Sequence, residues 1–234
     1  MRFSRWRAAG NDYLLAERAE LGGPLTPERV RAEVGDADGI LEVVIVDGAE
    51  AEIVIWNADG TTAEMSGNGT RIAAAWLAER SGAEAVRISV GPRTVVARML
   101  PAGEVEQELG GVDVLARERI AGLETTVVSV GNPHAVVVGD PDDLPLIGPL
   151  LETHPRFPER TNVQVARVDG PGRVSARVWE RGVGETRSSG TSAVAVAAAT
   201  HGSGDVVVSF PGGDLHVSLA SGRARLRGPV ERVG

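Results

Sequence analysis

The stretch WNADGTTAEMSGNGTRIAAA, residues 56–75, and the stretch WERGVGETRSSGTSAVAVAA, residues 179–198, carry the same landmarks in the same order. Each opens on a tryptophan closing an alternating apolar run, Trp56 or Trp179. Ten residues later each reaches a serine–glycine pair, Ser66-Gly67 or Ser189-Gly190, followed by an alanine-rich segment of helical character. Upstream, Gly10-Asn11 and Gly131-Asn132 repeat as well: Asn11 lies 55 positions before Ser66, and Asn132 lies 57 before Ser189. Equal spacings between similar landmarks are the mark of a duplicated unit. The chain is therefore expected to form two similar domains related by approximate two-fold symmetry. The first is residues 1–110, joined by the tail 224–234, and the second is residues 111–223. The boundary is placed at Gly110-Gly111, after the acidic stretch Glu104 to Glu108. A cleft between such domains is the default place for a site.

Around the repeat the chain reads as strand-rich α/β. Hairpins are expected where alternating runs flank turn residues. These are Ile40 to Val46 with Ala51 to Trp56 about Asp47-Gly48, Ala85 to Val90 with Thr94 to Leu100 about Gly91-Pro92, Asn162 to Val168 with Val174 to Trp179, and Val206 to Phe210 with Leu215 to Leu219. A helix is expected after Thr26-Pro27, where threonine can cap and proline suits the first turn, and two more after Ser66-Gly67 and Ser189-Gly190.

Composition narrows the functional classes. With 234 residues, 42% apolar and 24% charged, the chain is large enough for its own core, and a formal charge of -8 disfavours a nucleic-acid backbone as partner. The apolar runs Ile72 to Ala78 and Ala193 to Ala199 are far too short to span a bilayer, and the charged start Met1 to Arg7 does not resemble a signal core, so a cytoplasmic location is expected. Cysteine is absent, which excludes disulfides, thiolate metal ligands and thiol catalysis. Arg2, Arg5 and Arg7 read as a solvated strand face.

A helix N-terminus presents amides outside its own hydrogen-bond ladder together with partial positive charge, so two such ends at one cleft would hold a carboxylate. Gly67, Gly69 and Gly190 would let a ligand approach the backbone. A single serine before a helix is ordinarily only a cap; two at matched spacing point to a shared site. Beside these helix starts lie Asn11, Asn57, Asn68, Asn132, Asn162 and the adjacent Glu180-Arg181. Each asparagine alone would suit a turn, but together they suit a zwitterion: amides donate and accept, arginine grips a carboxylate in parallel, and glutamate receives an ammonium. Gly67-Asn68-Gly69 and Gly182-Val183-Gly184 lack the third glycine of a dinucleotide loop, and the four histidines show no zinc spacing. His134, in Gly131-Asn132-Pro133-His134, reads as a satisfied turn histidine.

Ala9-Gly10-Asn11-Asp12, Asn57-Ala58-Asp59-Gly60, Met65-Ser66-Gly67-Asn68-Gly69, Gly131-Asn132-Pro133-His134, Pro158-Glu159-Arg160-Thr161-Asn162 and Glu180-Arg181-Gly182-Val183-Gly184-Glu185-Thr186 together resemble the signature segments of the diaminopimelate epimerase family, in order and across nearly the whole chain. The resemblance implies two α/β domains of mirrored topology, each with strands wrapped around a central helix. It also implies inversion of an amino-acid α-carbon without cofactor or metal, most closely LL- to meso-diaminopimelate in lysine and cell-wall biosynthesis. By the same resemblance, Gly67, Asn68, Gly190 and Thr191 would hold the reacting α-carboxylate through their amides. Asn11, Asn57, Asn132, Asn162, Glu180 and Arg181 would orient the amino groups and distal carboxylate. A homodimer is compatible with the family, though no residue pattern calls for one.

The family places a cysteine at each of two proton-transfer positions, and here both are serine, Ser66 and Ser189. A thiol has a pKa of about 8.5, whereas an alcohol lies near that of water, about 15.7, a gap of about 7 units or on the order of 10 kcal/mol. A helix dipole offers at most about 2 kcal/mol. Serine should keep the binding geometry and remove most of the proton transfer. Three readings follow: an inactivated cysteine-to-serine form, a homologue that binds an amino acid without turnover, or an isomerase or dehydratase using another base, with His134, Glu64 and Glu185 the nearest in sequence. All 24 basic residues are arginine, so the missing cysteine fits a wider compositional bias.

Overall fold

The computed structural model describes residues 3–234, so Arg2, read above as part of a strand face, lies outside the described residues. The chain divides into two compact units, Met1–Glu108 with Gly228–Gly234, and Leu109–Arg227. The first holds strands β1 (Ser4–Ala8), β2 (Asn11–Glu17), β3 (Gly39–Asp47), β4 (Glu50–Asn57), β5 (Thr62–Ala63), β6 (Ala85–Val90), β7 (Arg93–Leu100) and most of β8 (Glu104–Gly111). Helix α1 (Pro27–Glu33) lies between β2 and β3, and α2 (Gly67–Ser81) between β5 and β6. The second unit holds β9 (Asp113–Ile120), β10 (Leu123–Ser129), β11 (Pro133–Val138), β12 (Asn162–Gly170), β13 (Arg173–Glu180), β14 (Gly184–Thr186), β15 (Gly204–Phe210), β16 (Gly213–Ala220) and most of β17 (Arg223–Pro229). Its helices are α3 (Leu144–Glu152) and α4 (Gly190–Thr200); β18 (Glu231–Arg232) belongs to the first unit.

The two units repeat one pairing pattern. β1–β2 and β10–β11 are antiparallel, β2–β3 and β11–β12 parallel, and β3–β4 and β12–β13 antiparallel. The short β5 and β14 then add antiparallel to β4 and β13, which also pair in parallel with β6 and β15. Antiparallel meanders β6–β7–β8 and β15–β16–β17 complete each set. The outer side of β1 is covered by β18 from the end of the sequence, and that of β10 by β9, its preceding hairpin partner. The duplication read from the spacings is thus a duplication of topology.

Helices α2 and α4 have no polar stripe. Ile72, Ala73, Ala74 and Leu77 on α2, and Ala193 through Ala199 on α4, are buried all round. A helix buried on every side along most of its length must be enclosed: α2 packs against β1, β2, β4, β6 and β7, and α4 against β9, β10, β11, β12, β13, β15 and β16. Alanine makes this possible, because its small side chain lets strands close around the axis. α1 and α3 instead cover the outer faces of the strands. Val30 of α1 packs with Ala16 and Ile40, and Leu151 of α3 with Ala135, Val137 and Val163.

The expected hairpins and serine-led helices are present, with one departure. Glu104 to Glu108, read as an acidic stretch before the domain boundary, is strand β8, and Gly110-Gly111 lies within it. Its alternation puts Val105 and Gln107 inside while Glu108 faces out, a period-two pattern that the acidic residues masked. Helix α3 was not foreseen, because Pro145 and Pro149 break its sequence signal; Pro149 is nonetheless accommodated inside it.

Candidate active site

In the first unit, the hairpin turn Ala9-Gly10 takes positive φ at both residues, 46° and 82°, and delivers Asn11 at the start of β2, buried. Two residues on, the Tyr13 hydroxyl lies 3.4 Å from Ser66 Oγ. Ser66 is the N-cap of α2: its backbone is extended, its hydroxyl accepts from the Gly69 amide at 3.0 Å, and its carbonyl accepts from the Thr70 amide at 2.9 Å. Gly67 and Asn68 form the first helical turn and are buried. A Cβ on Gly69 would stand 3.1 Å from Leu41 Cδ2 and 3.3 Å from Ser66 Cβ, so this glycine serves packing under the cap rather than ligand approach. Asn57, at the end of β4, donates its side chain to Thr61 Oγ1 at 2.9 Å, while Asp59 receives the Thr61 amide and hydroxyl. Those contacts are the turn role that a single asparagine ordinarily plays.

In the second unit, Ser189 caps α4 with an extended backbone, and its carbonyl accepts from the Ala193 amide at 3.0 Å, but its hydroxyl makes no capping bond. Gly190 and Thr191 open the helix, buried. Asn132, in the turn between β10 and β11, donates to Thr191 Oγ1 at 3.4 Å, and its Oδ1 lies 3.0 Å from His134 Nε2. The other ring nitrogen of His134 lies 3.1 Å from the Gln164 amide nitrogen, which also donates to Ser192 Oγ at 2.9 Å. Asn162, first residue of β12, donates to the Pro133 carbonyl at 2.9 Å and accepts from the Arg181 amide at 3.0 Å. Glu180, last residue of β13, accepts from the Thr186 hydroxyl at 2.6 Å. The network therefore joins Asn132, Thr191, Asn162 and Arg181 around the start of α4.

His134 is fully buried on β11 rather than in a turn, and burial holds its pKa down to about 3. It is neutral, with the Gln164 N–H supplying one nitrogen and Asn132 Oδ1 receiving from the other, an arrangement that fixes the tautomer and the orientation of Asn132. Glu185 is gripped by Arg177 through both oxygens at 2.7 and 2.9 Å, and Glu64 is exposed.

Four residues with structural influence on these segments were not singled out by the sequence. Glu152, at the end of α3, accepts from the Trp179 indole at 2.7 Å and from the Gly182 amide at 2.7 Å, pinning the turn that follows Glu180. Glu42 holds Trp56 in the first unit at 3.0 Å and pairs with Arg18 at 2.7 Å. Asp12 ties down Arg5 and Arg7 at 2.8 and 2.6 Å, so these two are ion-paired strand residues rather than a freely solvated face. Arg71 lies fully buried on α2. Only Arg71 left a sequence signal: a charge inside an otherwise apolar helical run. No cluster of potential metal ligands occurs among the described residues, and no helix of the described residues is long and apolar enough to cross a membrane.

What such an arrangement can do chemically is hold an anion on the first-turn amides of each helix, flanked by fixed carboxamides. Comparison with known proteins gives the family. The family model described as Diaminopimelate epimerase matches residues 126–233. A diaminopimelate epimerase of Synechocystis sp. is 35% identical over 269 residues, covering 99% of this chain and 96% of its own. Among solved structures, a protein described as a predicted epimerase from Pseudomonas aeruginosa aligns with a TM-score of 0.75 at 17% identity, covering 100% of this chain and 97% of its own. A hydroxyproline epimerase from Agrobacterium vitis, with trans-4-hydroxy-L-proline bound, aligns with a TM-score of 0.71 at 16% identity, covering 99% and 89%. The architecture of strands around a buried helix, twice repeated, is theirs, and the chain belongs to the diaminopimelate epimerase family.

Proposed function

We propose that this chain binds diaminopimelate through the helix starts at Ser66 and Ser189, and that the reaction it is built for is inversion of the α-carbon from LL to meso. In this reading the amides of Gly67, Asn68, Gly190 and Thr191 receive the α-carboxylate. Asn11, Asn57, Asn132, Asn162, Glu180 and Arg181 orient the amino groups and distal carboxylate. Removing the α-proton places charge on the carboxylate oxygens, and prefixed amide dipoles stabilise that charge more than the ground state. Family membership over the whole chain is the observation that carries this reading.

Ser66 and Ser189 would stand where proton donor and acceptor are required. Neither has a base to activate it among its hydrogen-bond partners: Ser66 Oγ meets the Gly69 amide and the Tyr13 hydroxyl, and the buried imidazole of His134 is engaged by Asn132 and Gln164. The alcohol–thiol gap of about 10 kcal/mol then leaves turnover far below that of a thiol pair, while the binding groups persist. The test is incubation with LL-diaminopimelate in heavy water, following the α-proton signal by NMR. Binding without appreciable exchange, and a gain of exchange with inversion in the double variant Ser66→Cys, Ser189→Cys, are expected. Rapid exchange by the serine protein would refute the estimate for the alcohol. No exchange in the double-cysteine variant would refute the substrate.

A further inference from the structure

Arg71 has no side-chain exposure, and among the described residues no carboxylate lies within ion-pair distance of it. Its Nη2 donates to Asn68 Oδ1 at 2.5 Å and its Nη1 to the Gly67 carbonyl at 3.2 Å, while its Nε has no partner. Burial lowers its pKa to about 9, which still leaves it charged at neutral pH. An uncompensated buried guanidinium is costly and is ordinarily kept only where something matches it.

Its immediate surroundings are polar but neutral. The Gln107 carboxamide, oriented to satisfy its partners, donates to the Gly67 carbonyl at 3.0 Å and accepts from the Arg71 amide at 3.0 Å and the Thr70 hydroxyl at 2.7 Å. The fifth residue after the other serine is Val194, likewise buried; the titratable groups near that helix start are the neutral His134 and Arg181, which is not buried and whose charge acts on His134. The duplication has therefore kept the two caps and placed a buried charge inside only one of the two helices.

We propose that Arg71 is a positioning residue of the site: it fixes Asn68 and Gly67 at the start of α2 and sets a buried positive charge behind that helix start, which favours a carboxylate there. The inference rests on the reading that a carboxylate binds at these helix starts, and it adds the source of positive charge behind the start of α2.

The test uses the full chain and two readouts. In the first, meso-diaminopimelate is titrated by calorimetry into the unsubstituted protein, Arg71→Gln and Arg71→Lys. The neutral variant should lose tenfold or more in affinity, and the lysine, which keeps the charge but not the planar fork, should recover most of that loss. Equal affinity in all three proteins would overturn the proposal, as would equal losses in both variants. The second readout needs no ligand. Ser66→Cys and Ser189→Cys, each alone and each combined with Arg71→Gln, are titrated by thiolate absorbance. Position 66 faces the Tyr13 hydroxyl, with the exposed Glu64 two residues earlier and Arg71 reaching the adjoining Gly67 and Asn68; the second unit has His134 and Arg181 instead. Removing Arg71 should raise the thiol pKa at 66 by about a unit and leave that at 189 unmoved; an unchanged value at 66 refutes the proposal. If Arg71→Gln does not fold, Arg71→Met, which removes the charge without adding a polar group, takes its place. Should the unsubstituted protein bind no diaminopimelate, the substrate assignment fails while the thiol comparison still decides the role of Arg71.

Discussion

Trp179 donates its indole N–H to Glu152 Oε2 at 2.7 Å, joining the end of β13 to the end of α3. The other oxygen of the same carboxylate takes the Gly182 amide at 2.7 Å, and Arg160 approaches it at 3.6 Å. One nearly buried side chain thus fixes the turn carrying Glu180 and Arg181. Glu152→Ala would leave two donors without their acceptor, at about 1–3 kcal/mol each. Urea denaturation should show a loss on the order of 3 kcal/mol, and Glu152→Gln, which keeps one acceptor, a smaller one. A loss under half a kcal/mol in the alanine variant would show that the turn holds without this anchor.

The same tryptophan explains Gly148. A Cβ there would stand 2.8 Å from both Cγ and Cδ2 of Trp179, well inside van der Waals contact. Gly148→Ala should cost about 1–3 kcal/mol by overpacking, despite the usual gain from replacing glycine in a helix. A thermal midpoint equal to or above that of the unsubstituted protein would contradict this packing.

The two serine caps should respond differently to alanine. Ser66 accepts the Gly69 amide at 3.0 Å, whereas Ser189 makes no capping bond. Ser66→Ala is expected to destabilise by about 1 kcal/mol and Ser189→Ala by clearly less. Equal losses in chemical denaturation would mean that Ser189 caps its helix in solution.

His134 sets a pH dependence with a definite sign. Burial depresses its pKa to about 3, so the unfolded chain binds a proton that the folded chain refuses. Stability contributed by the neutral state is complete above the ordinary histidine value of about 6.5 and falls as pH drops below it, at up to about 1.4 kcal/mol per unit. His134→Gln should flatten the stability profile between about pH 6.5 and 4. An imidazole at this position that titrates near 6.5 by NMR would refute the assignment.

Asp12 governs the more acidic limb. The Arg7 guanidinium first, and Arg5 after it, hold its carboxyl below the usual range against the opposing effect of burial. Its contribution is present above the ordinary aspartate value of about 3.9 and disappears as pH falls through the depressed folded value. Asp12→Asn should lower stability at neutral pH and reduce the slope of acid denaturation below about pH 4. An acid slope identical to that of the unsubstituted protein would contradict it.

How far the sequence reveals these arrangements depends on the range of the interaction. Ser66 and Ser189 were legible because a cap is local: serine, glycine and an alanine run lie side by side. Hairpins such as β3–β4 were legible for the same reason, with Asp47 pairing Glu50 across the turn. Glu152 and Glu42 were not, since each reaches its tryptophan across 27 or 14 positions and looks like any acidic residue beforehand. Strand β8 was hidden because its outward glutamates outweighed the buried Val105 and Gln107. Gly39 is a similar case: a Cβ there would collide with the Trp56 carbonyl at 2.3 Å, a close approach made by β4 that no local pattern announces.

The edge covered by β18 imposes an order on biosynthesis. The backbone of Trp6 and Arg7 on β1 finds its partners in Arg232 and Glu231, which leave the ribosome some two hundred residues later. Until then the first unit carries an open strand edge able to pair with any neighbouring nascent chain. Its closure waits for those late residues to emerge, and a chaperone that shields β1 would act on this window rather than on the finished molecule.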